Sequence, residues 1–238
     1  MPDIHFSSYD EYFKDFFLHL VLYSFNGVGK TTFAGRTGLR TVLLDCGDSG
    51  VVTLKGVQKL KIVKIKSTLH YLDVMDSVNR RAEQFDLLVA DSLTGLTAMA
   101  IKEVKGKRGD MNRRKWGMVG SKVIECVSET KNFPKDVIYL AQERRRTNDE
   151  GDGDVTFYSP SVNPGVREFI SGSVDWIGRM YLEDEKRKLS FILSSTQEAK
   201  DRADPPVFPK VLTLPPMNGP IYPAYAAIRK RIVEAIQK

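Results

Sequence analysis

LVLYSFNGVGKTT, residues Leu20 to Thr32, sets an apolar strand directly before a glycine-rich loop that closes on Gly29, Lys30 and Thr31. Small residues let successive backbone N–H groups curl around phosphate oxygens, and the helix that follows offers its positive end. Lys30 can bridge terminal phosphates and the Thr31 hydroxyl can hold Mg²⁺, so Asn26, Gly27, Val28, Gly29, Lys30, Thr31 and Thr32 are the expected nucleotide-binding residues. The spacing departs from GxxxxGK[ST] only at its first position, where Ser24 replaces glycine. Serine is still small enough for a tight turn. A glycine turn ahead of an unrelated helix is the alternative, which the combined spacing and setting oppose.

Moving outward, a helix is expected from Lys30 to Thr37, followed by a buried strand at Arg40 to Asp45 and another strand at Leu60 to Ile65. A helix from Leu69 to Gln84 leads into FDLLVADS, Phe85 to Ser92, an apolar strand ending in an aspartate. A helical region from Leu93 to Lys131, broken near Gly106 to Asp110, precedes the strand Asp136 to Ala141. Strands that alternate with helices in this way predict an α/β fold, a mainly parallel twisted sheet wrapped on both faces, with ligands at the carboxyl ends of its strands. Gly151 to Gly165 is polar and turn-rich, while Val174 to Leu182 and Arg187 to Ser194 read as a hairpin extending the sheet. Upstream, residues 8–18 read as an amphipathic helix with Tyr12, Phe13, Phe16 and Phe17 on its apolar side. Pro205 to Pro223 carries seven prolines and must be largely extended before a terminal helix from Tyr225 to Gln237. One domain is expected, with residues 1–17 as an extension, 18–204 as the core and 205–238 as the tail.

A chain of 238 residues with 42% hydrophobic content can bury a core of this size. No apolar run reaches the roughly 18 residues of a membrane span, and the acidic N-terminus lacks the layout of a signal peptide, so a cytoplasmic protein is expected. Cys46 and Cys126 sit in separate apolar segments, without ligand spacing to the three histidines, which predicts buried thiols and no zinc. The net charge of +6 is concentrated at Lys102 to Lys115, Arg144 to Arg146 and Lys186 to Lys188. Each such cluster by itself is more often a solvated face than a contact for an anionic partner.

Asp91 follows four apolar residues and should reach the carboxyl edge of the sheet, where a carboxylate can hold Mg²⁺ or cap the next helix. Ser92 comes next rather than a glutamate, so a catalytic base must come from elsewhere. TVLLDCGD, Thr41 to Asp48, offers Asp45 and Asp48 on a strand expected beside the phosphate loop; Asp48 is the candidate base, unless Asp48 and Gly50 merely form a turn.

With these residues in hand, the chain resembles the RecA-like ATPases. Their pattern has a carboxylate at the end of the second strand, Asp-Ser after the aspartate strand, and a polar sensor after the next strand, matched here by Gln142. The family's usual glutamate position falls on Gly47 here, one residue before Asp48. Lys200 and Arg202, in QEAKDRADPP, look like the Lys-x-Arg element whose cations reach the neighbouring subunit's ATP. Among RecA-like proteins, YSFNGVGKTTFA, FDLLVADSLTGL, VIYLAQERR, VDWIGRMYLED and AKDRADPP are similar, in order, to short phage-encoded AAA-domain proteins, some of them single-strand annealing recombinases. The resemblance implies ATP and Mg²⁺ as cofactors, self-assembly into a ring or filament with ATP between subunits, and annealing of single-stranded DNA with help from a single-strand-binding protein. It also implies that the segment after Gln142 meets DNA, through Arg144, Arg145 and Arg146 on phosphates and Phe157 and Tyr158 stacked on bases. A small-molecule kinase and a nucleotide-gated binding module with little hydrolysis are the competing readings.

Overall fold

The computed structural model describes residues 16–47, 50–106, 109–147, 156–203 and 205–236. Most of the expected N-terminal helix lies outside these residues. In chain order the elements are β1 (His19–Ser24), α1 (Lys30–Gly35), β2 (Thr41–Asp45), a 3₁₀ turn (Gly50–Leu54), β3 (Leu60–Lys64), α2 (Thr68–Asn79), β4 (Leu87–Asp91), α3 (Leu93–Lys105) and α4 (Arg113–Lys131). There follow β5 (Asp136–Thr147), β6 (Thr156–Pro160), α5 (Pro164–Ser173), β7 (Trp176–Glu183), β8 (Lys186–Ser190), β9 (Lys200–Asp201), β10 (Leu212–Thr213) and α6 (Ala224–Ile236).

The strands form one sheet in the order β10-β8-β7-β1-β5-β4-β2-β3, with β6 added to β5 and β9 to β7. From β7 to β3 every neighbouring pair is parallel; the β8, β9, β10 and β6 pairings are antiparallel. All five residues of β2 and all five of β4 are buried, as expected of parallel strands covered on both faces. Alternation then sorts side chains between two cores. Val21, Tyr23, Leu44, Leu88, Ala90 and Tyr139 face α2 to α5, whereas Leu20, Leu22, Leu43, Val89, Ile138 and Leu140 face α1 and α6. Among the described residues no helix is long and apolar enough to cross a membrane. Cys46 and Cys126 are buried free thiols, and burial pushes the Cys126 thiol up to about 12.

Helix starts follow local chemistry. Ser67, Ser92 and Asn112 each accept a backbone N–H from three residues on, capping α2, α3 and α4. The tail is tied down by Asp136 at the start of β5. Its carboxylate accepts from Leu18 N at 2.9 Å, from Tyr225 Oη at 2.7 Å and from Arg229, so the amino edge of the sheet and α6 share one buried acceptor.

Three expectations are corrected. The β2 strand is not adjacent to β1, because β5 and β4 lie between them. The run after Gln142 is not an open loop: β5 continues to Thr147 and pairs with β6, and α5 follows. The second hairpin strand ends at Ser190, and Lys200 belongs to a separate short strand that pairs with the amino end of β7 on the same edge as β8.

Candidate functional site

At the end of β1 the chain turns through Gly27 and Gly29, whose φ values of +81° and +108° lie where side-chain-bearing residues are rarely found. Lys30 then begins α1 and is buried. Its Nζ donates to Ser24 O and Ser24 Oγ, both at 3.0 Å, and to Phe25 O at 3.3 Å. Ser24 therefore does more than fit the turn. Its hydroxyl gives the lysine an extra acceptor and itself donates to Phe25 O at 2.8 Å. Asn26 and Gly27 are exposed, Val28 is buried, and Thr32 is anchored to Thr53 through their hydroxyls at 3.1 Å.

Thr31 Oγ1 donates to Asp91 Oδ2 at 2.8 Å, joining the loop to the end of β4 across the intervening β5. Asp91 is 2% exposed, and Asp45 stands opposite it in the β2–β4 register. One hydroxyl, one buried carboxylate and a second carboxylate nearby suit Mg²⁺, which takes one or two protein oxygens and completes its shell with water and substrate phosphates. Among the described residues no group of three His, Cys, Asp or Glu side chains forms a closed metal cage. Thr31 and Asp91 are thus the residues that would hold the ion, whose charge would neutralise the phosphates.

Asp48 lies outside the described residues. Its flanks are informative: Gly47 N–H donates to Asp45 Oδ1 at 2.9 Å, and Gly50 packs so closely on the Thr31 hydroxyl that a Cβ there would collide with it. Gly47 therefore sits against Asp45 and Gly50 against Thr31.

Gln142 pairs with Ser24 across β1 and β5, so the expected sensor stands beside the phosphate loop. Its N–H donates to Thr94 Oγ1 at 3.0 Å, and its carbonyl accepts from Ser161 N at 2.8 Å. Beyond it, register divides the hairpin into two faces. Arg144 and Arg146 share one with Ser159 and Phe157; Glu143 and Arg145 share the other with Pro160 and Tyr158. On the first face Arg167 of α5 approaches Ser159 Oγ at 3.5 Å. Burial, then repulsion from Arg167 and Arg144, lowers the pKa of Arg146, and its Nε is buried without a hydrogen-bond partner. Arg167 Nε is itself paired with Glu198 at 3.6 Å, so the outward positive charge of this face is carried by Arg144 and Arg146.

The second face is occupied from within. The Glu143 carboxylate, with no exposed side-chain surface, accepts from Arg179 Nε at 2.8 Å and Nη2 at 3.3 Å. The Arg179 guanidinium lies 3.5 Å from the centre of the Tyr158 ring. Tyr23 Oη donates to Glu198 O at 2.5 Å, within reach of Tyr158 O at 3.2 Å, and burial drives its pKa well up. Tyr158 is thus a packed member of an internal stack, not an open base platform as the sequence suggested; Phe157 is half-buried.

Lys200 and Arg202 stand at the opposite end of the sheet from the phosphate loop of their own chain. Lys200 and Asp201 pair with Ile177 and Trp176, near the amino end of β1. Lys200 Nζ donates to Ser171 O at 2.6 Å and Val174 O at 2.7 Å, capping the end of α5, and burial, followed by Arg202, lowers its pKa. Arg202 is exposed and paired with Asp175 at 2.7 Å. The expected alternation onto one free side does not occur, because β9 is too short to continue the hairpin.

Glu143, Arg167 and Arg179 were not singled out from the sequence. For Arg167 a signal existed: Asn163 followed by Pro164 is a helix-start pattern, and Asn163 Oδ1 caps Gly165 N at 3.0 Å. The others are defined only by partners remote in the chain.

A family model described as an AAA domain matches residues 17–203, about four-fifths of the chain. No curated protein matches it.

Proposed function

Because the chain belongs to the AAA-domain family of P-loop NTPases, we propose that it is a RecA-like ATPase that self-assembles, binds single-stranded DNA and promotes its annealing or strand pairing. One observation carries the reading. β5 is a single strand that passes Gln142 beside the phosphate loop and continues into the arginines of the hairpin. A change in nucleotide state felt at Gln142 is thereby one rigid element away from a cationic surface. Arg144 and Arg146 would track DNA phosphates, with Phe157 on the same face.

In this reading Lys30 holds the terminal phosphates, and a carboxylate at Asp45 or Asp48 orients the attacking water. A cation at the amino edge of the sheet can serve only a neighbour's site, and the exposed Arg202 suits that task better than Lys200, which is engaged by its own helix. The resemblance to phage recombinases adds a single-strand-binding protein as partner and the host cytoplasm as the place of action. The position of Gly47, where the family carries glutamate, favours slow hydrolysis as a second reading. Single-turnover hydrolysis by wild type and Asp48→Ala separates the two, since only an active base makes the substitution costly.

The test is ATP hydrolysis with and without single-stranded DNA, together with DNA affinity across a salt series and electron microscopy of the ATP-bound protein. Stimulated hydrolysis, assemblies, and affinity that falls by roughly 0.7 log units per log unit of salt for each neutralised phosphate are expected. A protein that neither binds DNA at low salt with ATP nor assembles would end this reading.

A further inference from the structure

A nucleotide's triphosphate is a linear chain, so fixing its terminal end sets the direction in which the nucleoside leaves. Thr31 and Asp91 mark the terminal end, and Asp91 lies on the β5 side of β1. The nucleoside must point to the other flank, toward β7 and β8. Two side chains meet the phosphate loop there. Arg187 on β8 donates from Nε to Val28 O at 2.8 Å. Met217 rests on Gly29, where a Cβ would come within 2.6 Å of its sulfur and 3.4 Å of Arg187 Nε.

Neither residue has a role in the site as described so far, and both are held in place. The chain around Met217 forms an arch, pinned at one end where Leu212 and Thr213 pair with β8. At the other end Tyr222 N–H donates to Arg36 O at 2.5 Å, Arg36 Nη1 donates to Gly219 O at 2.8 Å, and the Tyr222 ring meets Phe33 edge-on at 5.9 Å. Within the arch, Tyr222 Oη donates to Pro215 O at 2.9 Å. Prolines at 215, 216 and 220 restrict it further. A guanidinium plane and a thioether are both surfaces on which a purine ring packs well, and here their geometry is set before any ligand arrives.

We propose that Arg187 and Met217 form the wall that receives the base and ribose of a purine nucleoside triphosphate, making the C-terminal arch the element that selects the nucleotide. The inference rests on nucleotide binding at the phosphate loop and is independent of DNA.

Calorimetric binding of ATP and of UTP, each with Mg²⁺, tests it on the full chain as wild type, Arg187→Lys, Met217→Ala, Met217→Leu and Lys30→Ala. Wild type should favour ATP by about tenfold or more, and Arg187→Lys and Met217→Ala should each shrink that ratio by about three- to tenfold. Met217→Leu, which keeps the volume, should retain most of it. Lys30→Ala should weaken both nucleotides alike. No base preference in wild type, or a ratio that Arg187→Lys and Met217→Ala leave unchanged, overturns the wall. Equal loss of ATP and UTP in those variants overturns it as well, since that is the mark of a distorted loop. Unaltered binding by Lys30→Ala would instead bring down the nucleotide site itself, while absent DNA stimulation with these results intact would bring down only the DNA reading.

Discussion

The phosphate loop and the arginine hairpin grow from the ends of neighbouring strands, β1 and β5, yet they are held by different means. Lys30 finds its acceptors five and six residues away in the chain, at Phe25 and Ser24. The hairpin depends on Glu143 meeting Arg179 thirty-six residues on, and on Tyr23 reaching Tyr158 and Glu198. An anion site made of backbone N–H groups closes locally, whereas a polar strand extension persists only where remote side chains satisfy its buried charge. The two regions should therefore fail independently.

The largest effect is expected from Glu143→Ala. It leaves the Arg179 guanidinium, whose side chain is only 13% exposed, without its carboxylate, and should cost about 3–5 kcal/mol in urea unfolding. ATP affinity of the fraction that remains folded should be retained, and a loss in both measurements would mean that the two regions are one unit. Lys30→Ala is the converse break. Removing the ammonium should lower ATP hydrolysis by about 10²- to 10³-fold while costing only about 1–2 kcal/mol in unfolding, read by steady-state assay and circular dichroism. Next comes the double change Arg144→Ala with Arg146→Ala. For each arginine that neutralises a phosphate, its removal should flatten the salt dependence of single-strand binding by about 0.7, with DNA-free hydrolysis unaltered. A slope equal to that of wild type would place DNA elsewhere. The smallest effect belongs to Ser24→Gly, which restores the commoner loop residue but removes one Lys30 acceptor, for about 0.5–1.5 kcal/mol at most in ATP affinity.

The parts of the fold legible in the sequence share one property. Leu20 to Tyr23, Val42 to Leu44, Leu87 to Ala90 and Val137 to Ala141 are continuous apolar runs, because parallel strands buried on both faces tolerate nothing else. The charged half of β5 carries no such pattern. Glu143 to Arg146 reads as a loop until β6 supplies the ladder and Arg179 the countercharge. Strand order was equally hidden, since the buried β2 resembles any other apolar strand, and its place beyond β4, with the half-exposed β3 at the edge, is set by crossovers rather than by residue type. Lys200 shows the limit on function. Its spacing to Arg202 matched an interface element, but the carbonyls at the end of α5 take up its ammonium.

By itself, the sequence determined a phosphate loop, an aspartate at the end of a buried strand and an α/β sheet, because each is written in residues adjacent in the chain or in runs that only a buried parallel strand can hold. Tertiary structure alone decided which carboxylates stand together, that Tyr158 faces Arg179 rather than solvent, and that Arg187 and Met217 close on the loop. These pairings join residues far apart in the chain, and their geometry exists only once the sheet has set its order and register.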